Sequence, residues 1–251
     1  MKLLPWLLLL RIVNLPTVPG DVMAGAAAAL VGGAAATDGF AGRLVCAVAA
    51  VCSLYLYGLV DNDIVGAKTD SDRPIPNGEI SLGAARLCRS LLFGLSLVSV
   101  YGAFHFGAHP AIWALSAALL ASIVVYNRFK FSLAMGLCRG LGTLFGTAAV
   151  LEKGSHPSFS IFHFPFFIFL LWSLYIAAVT RYSEGEEHSP AKRAMVGFLI
   201  GAIVYLQLLA LIAAELLHPE IPALGNLLVL GALLLIILRI VKKILPKVSA
   251  S

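Results

Sequence analysis

Along the chain, long apolar runs alternate with short polar breaks. The runs occupy residues 17–36, 41–60, 82–104, 110–126, 132–151, 161–180, 194–216 and 222–243, each near the length that crosses a hydrocarbon core of roughly 30 Å. They predict an all-α polytopic membrane bundle of about eight transmembrane helices. The connections are tight and none reads as a linker, so residues 1–251 are expected to form a single integral-membrane domain. The opening Lys2–Val13 is hydrophobic but interrupted by Pro5 and Arg11, with no small-residue cleavage site after it. It reads as an interfacial helix and not a signal peptide.

Composition agrees: 60% hydrophobic and only 12% charged residues, with a mean hydropathy of +0.93, exclude an ordinary soluble domain. With eight spans, both termini and the loops after spans two, four and six share one side. That side collects 16 of the 18 lysines and arginines, leaving Arg43 and Lys153 opposite, which predicts it to be cytoplasmic. Topology thereby accounts for a pI of about 9.1 and calls for no nucleic-acid partner. The multi-pass protein is expected in the cell membrane with its polar cap and both termini cytoplasmic. Cys46, Cys52, Cys88 and Cys138 lie in or beside spans without CxxC spacing and read as small apolar residues.

One stretch breaks the pattern. From Asp61 to Gly78 the chain carries Asp61, Asp63, Asp70 and Asp72 with Lys68 and Arg73, directly after an apolar span. Charge at the mouth of a membrane helix marks a site, a pore or an interface. If the span continues as helix, Asn62, Gly66 and Asp70 fall at i, i+4 and i+8, and Asp63 stands seven before Asp70, so the polar groups share a face. Oxygen ligands so placed suit Mg²⁺, which one or two carboxylates hold while substrate phosphates and waters complete its shell. Pro74 and Pro76 then force the chain out of the helix, and Asn77-Gly78 turns it back.

Three other polar groups fall on the same predicted side. Tyr126 and Lys130, at i and i+4 around Arg128, could reach one anion, and Arg139 follows about two turns into the next span. Arg181, Glu184, Glu186 and Glu187 close the sixth span. In the first span Arg11, Asn14 and Asp21 accompany Pro16, Pro19 and Gly20, a loosened segment that suits a cavity wall; Arg11 snorkelling and Asn14 capping the helix fit the same residues.

The stretch Asn62-Asp63, Asp70, Arg73-Pro74, Pro76, Gly78 and Ser81 resembles the first aspartate-rich motif of the UbiA superfamily of intramembrane prenyltransferases. Tyr126 and Lys130 match that family's Tyr-x-x-x-Lys element. Gly66 stands where the family has its middle aspartate, and the cluster around Glu184 lacks the aspartates of its second motif. With eight spans, the chain looks like a divergent, EboC-like branch. The resemblance implies catalytic roles for Asp63, Asp70 and Lys130, and diphosphate binding by Asn62, Lys68, Arg73, Tyr126, Arg128 and Asn14. It implies a Mg²⁺ cofactor on Asp63, Asp70, Glu184 and Glu187. The partners expected are an isoprenyl diphosphate, a lipophilic acceptor, aromatic or otherwise, and membrane lipid. Two functions follow: a Mg²⁺-assisted prenyltransferase, or a catalytically degenerate relative that binds or helps export a lipophilic metabolite.

Overall fold

Helix starts are set by residues that can satisfy free backbone N–H groups. Ser81 Oγ accepts from the Ala84 amide at 3.2 Å, and Ser189 Oγ from the Lys192 amide at 3.4 Å with Pro190 in the first turn. The computed structural model describes residues 3–68, 73–155, 159–185 and 189–244, without the side chains of Lys68, Phe159, Ser160 and Phe162. Among these residues the helices are α1 (Leu3–Leu9), α2 (Thr17–Val31), α3 (Phe40–Val65), α4 (Leu82–His105), α5 (Ala111–Phe129), α6 (Ser132–Val150), α7 (Phe159–Ser183), α8 (Pro190–Leu217) and α9 (Pro222–Ile244). Single turns of 3₁₀ helix occupy 12–14 and 66–68. Helices α3 to α9 are each long and apolar enough to cross a membrane, and the pair before α3, bent by 53° at a break, brings the number to eight if it counts as one span.

The bundle faces lipid with its large apolar residues. Helix α4 turns Leu87, Leu91, Leu95 and Val98 outward, each more than half exposed, and buries Ala85, Ser96, Ser99 and Ala103. With lipid as solvent, association rests on close packing of small residues. Helices α2 and α6 form the centre: a Cβ on Gly25 would sit 1.7 Å from the Thr143 carbonyl oxygen, and one on Gly146 would sit 1.8 Å from that of Val22. Thr147 Oγ1 adds a hydrogen bond to the Gly25 carbonyl at 3.2 Å.

Two expectations at the start of the chain need correction. The span expected at 17–36 ends as helix at Val31, because Gly32 caps it and Gly33 takes a left-handed φ of 99°. The lead-in expected as one interfacial helix over Lys2–Val13 is α-helix only from Leu3 to Leu9. It breaks at Arg11, which adopts φ 41°, and Leu9 packs with Val60, Ile75, Ile80 and Ala85 under the end of α3.

At the opposite end of α3, Arg43 ties four segments together. Only 1% exposed, it donates from Nε to Ala149 O at 2.8 Å, from Nη1 to Asp38 O at 3.1 Å and from Nη2 to Thr37 Oγ1 at 2.8 Å. Glu152, half exposed, stands 3.5 Å away as its counter-charge.

Candidate functional site

Helix α3 outruns its apolar span. It carries Asp61, Asn62 and Asp63 as helix, all buried, before ending at Gly66. Three carboxylate and amide groups in a row of helix point in three directions, so each meets a different neighbour. Asp61 takes a 2.8 Å hydrogen bond from Arg89 of α4 and a 2.9 Å bond from Asn127 Nδ2 of α5. Asn127 Nδ2 also donates to the Gly58 carbonyl at 3.1 Å. Asp63 pairs with Arg73, and Asn62 Oδ1 accepts from Lys130 Nζ. The segment that delivers Arg73 folds back through Gly78 at φ 72°, closed by Ile80 N–H to Pro74 O at 3.1 Å.

These groups rim a cavity of about 350 Å³. Asn62, Arg73, Tyr126, Asn127, Lys130 and Ser183 stand at its α3 C-terminal end, with Arg11 on the wall. Leu59, Leu119, Ile123 and Met135 give it apolar sides. Lys130 occupies the C-cap of α5 with φ 53°, which turns its ammonium back over the Tyr126 ring, 5.5 Å from the centroid.

The structure brings Asn62, Arg73, Tyr126 and Lys130 to one mouth, with Asp63 beside them on Arg73. It does not bring Arg128, which is exposed and outside the cavity lining, nor Asn14, whose backbone carbonyl accepts from Thr17 Oγ1 at 2.7 Å. Glu184 is exposed and bonded to Arg181 at 2.5 Å; among the described residues there, Ser183, one residue earlier, reaches the cavity. Asp70 and Glu187 lie outside the described residues, as does the Lys68 side chain. Asn127 and Tyr55 line the cavity without having been singled out in the sequence, and Asp21, expected in a cavity wall, lines it with Arg139. A signal was present for Asp21 and Arg139, both charges inside apolar spans.

Asn62 Oδ1 and the Asp63 carboxylate are hard oxygen donors at the mouth of a cavity, the chemistry Mg²⁺ takes when phosphates complete its shell. Among the described residues no three His, Cys, Asp or Glu side chains cluster. The two donors described fit a metal whose shell phosphates and waters complete.

The site is a polar-mouthed, apolar-walled cavity within a bundle of membrane-length helices. The sequence profile of the UbiA prenyltransferase family matches residues 22–247, and the chain belongs to that family. No curated protein sequence matches. Among solved structures the fold is shared with a UbiA homologue from Aeropyrum pernix K1 without ligand, at TM-score 0.55 and 18% identity over 93% of this chain and 91% of that one. It is shared with a digeranylgeranylglyceryl phosphate synthase at TM-score 0.54 and 19% identity over 98% and 97%. A UbiA homologue from Archaeoglobus fulgidus bound to GPP and Mg²⁺ gives TM-score 0.52 at 14% identity over 97% and 87%.

Proposed function

We propose that this protein is a membrane prenyltransferase that moves an isoprenyl group from an isoprenyl diphosphate to a lipophilic acceptor with the help of Mg²⁺. The observation that carries the reading is the convergence of Asn62, Arg73, Tyr126 and Lys130 on one cavity mouth above apolar walls. Family membership supports it, and so does the GPP and Mg²⁺ bound by the Archaeoglobus fulgidus homologue. Arg73 and Lys130 now rest on Asp63 and Asn62. A diphosphate would draw both cations to itself, releasing those oxygens. Bound there on Asp63 and Asn62, Mg²⁺ would neutralise diphosphate charge and make pyrophosphate a better leaving group.

Tyr126, Arg73 and Lys130 then hold the leaving oxygens, while Leu119 and Ile123 keep water from the allylic carbon. The carbon–oxygen bond to diphosphate breaks, the acceptor's nucleophile bonds to that carbon, and the acceptor's proton leaves with pyrophosphate. Asp70 and Glu187 complete the proposed metal set, with Lys68 as a further diphosphate contact. The site operates in one domain spanning 1–251, in the cell membrane, with the acidic mouth and both termini cytoplasmic.

Gly66 in place of a carboxylate, with Glu184 turned to Arg181, favours the second reading, a relative that binds a lipophilic metabolite without chemistry. Purified protein offered geranyl, farnesyl or geranylgeranyl diphosphate with candidate acceptors separates the two. Mg²⁺-dependent pyrophosphate release that Asp63→Ala abolishes supports the enzyme; no release with any donor supports the binder.

A further inference from the structure

Helix α3 shows the cavity one face, through Tyr55, Gly58, Leu59 and Asn62, the i, i+3, i+4, i+7 positions of a helix. From Tyr55 to Asn62 is about 10 Å along the axis. Asn62 marks the mouth, where the diphosphate reading applies. At the other end of this face the lining becomes polar again, with Tyr55 of α3, Asp21 of α2 and Arg139 of α6.

Asp21 is 1% exposed and ringed by donors. Its carboxylate takes Trp172 Nε1 at 2.7 Å and Gln207 Nε2 at 2.6 Å, and Arg139 Nε stands 2.7 Å from Oδ2 as an ion-pair contact off good hydrogen-bond alignment. Arg139 also gives Nη2 to Asp21 Oδ1 at 3.2 Å and to Thr17 O at 2.9 Å, and Nη1 to Thr17 Oγ1 at 2.8 Å. Of its five N–H groups, Nε meets Asp21 only as an ion pair and one on Nη1 has no acceptor among the described residues. The Tyr55 hydroxyl makes no hydrogen bond to any described residue. Inside a bilayer such donors are costly to leave unmatched, and here two of them line one end of a cavity.

We propose that Tyr55 and Arg139 form a second, deep subsite that binds the hydroxyl or carbonyl oxygen of a neutral lipophilic acceptor. Asp21 is a positioning residue: it holds Arg139 in place and cancels its charge. A cancelled charge offers a carboxylate little return for its lost hydration, so the remaining donors suit an uncharged oxygen. The assignment of this ligand as the acceptor rests on the prenyltransferase reading of the mouth, since the donor's diphosphate and the deep donors lie at opposite ends of one cavity.

The test is calorimetric titration of the full chain in lipid nanodiscs with naphthalene, 1-naphthol and 1-naphthoate, without diphosphate, empty nanodiscs being subtracted. The wild type is expected to bind 1-naphthol about tenfold tighter than naphthalene. Tyr55→Phe should close that gap, and Tyr101→Phe, on the exposed face of α4, should leave it intact. Both variants should bind geranyl diphosphate as the wild type does. A wild type without the gap, a gap that survives Tyr55→Phe, or loss of geranyl diphosphate binding in Tyr55→Phe overturns the proposal. So does tighter binding of 1-naphthoate than 1-naphthol, which would make this an anion site with Arg11 as its cation. If no form binds geranyl diphosphate while the naphthol gap follows Tyr55, the mouth reading fails and the oxygen subsite stands.

Discussion

Lys130 donates to Asn62 across 68 positions of sequence, and it does so from a left-handed backbone at φ 53°. That conformation costs a non-glycine residue about 1–2 kcal/mol, and it aims the ammonium into the cavity mouth. Lys130→Gly separates the two effects. The melting temperature should hold or rise, while affinity for geranyl diphosphate should fall at least about tenfold with the loss of a charge-assisted contact. Retained affinity in a folded variant would remove Lys130 from the site.

Gly66 closes α3 in an ordinary right-handed conformation, φ −79°, so a side chain there meets no backbone strain. Gly66→Asp should lower the Mg²⁺ concentration at which geranyl diphosphate binds, since it adds a carboxylate one turn from Asn62. A Mg²⁺ titration of wild type and variant reads this directly. An unchanged midpoint would show that position 66 faces away from the metal and would favour the non-catalytic reading.

Gly146→Ala places a methyl group against the Val22 carbonyl, and neither backbone can yield without parting α2 from α6. Its expected cost is about 2 kcal/mol or more. Gly94→Ala, where a Cβ meets nothing within 4 Å, should be neutral or slightly stabilising. Unfolding curves of the two variants in mild detergent make the comparison, and equal stabilities would contradict the packing described.

Arg43→Ala removes a buried cation and leaves the Ala149 and Asp38 carbonyls without their partner. A loss of about 3 kcal/mol is expected. Glu152→Gln, at a half-exposed carboxylate 3.5 Å away, should cost less than about 1 kcal/mol. Geranyl diphosphate binding should survive in both, because this network lies at the far end of α3 from Asn62.

Span positions were legible because a bilayer imposes a length on apolar runs. The run expected at 132–151 is helix from Ser132 to Val150, and that at 222–243 is helix from Pro222 to Ile244. The end of α2 was not, since Ala34, Ala35 and Ala36 prolong the apolar run while the backbone has already turned at Gly33. The mouth residues Asn62, Tyr126 and Lys130 were readable as polar groups on one predicted side. The deep end was not: Asp21 meets Arg139, Trp172 and Gln207 across 118 to 186 positions, and no local spacing encodes such a meeting. Gln207, the chain's one glutamine, sits in an apolar helix as the trace it leaves. Arg128 shows the converse error, a cation grouped with Tyr126 and Lys130 by proximity in sequence but turned outward by the helical period.

Thr17, at the first turn of α2, meets Arg139 seven residues into α6, which sets the start of α2 about 10 Å below the start of its neighbour. The central helix is thus countersunk, and the polar end of the cavity near Asp21 belongs to the depth at which a lipophilic compound is already dissolved. For an enzyme of the kind proposed, the acceptor is therefore supplied from the two-dimensional phase of the membrane. Its saturation should follow the acceptor's mole fraction in lipid, so that adding inert lipid at a fixed total acceptor concentration slows the reaction.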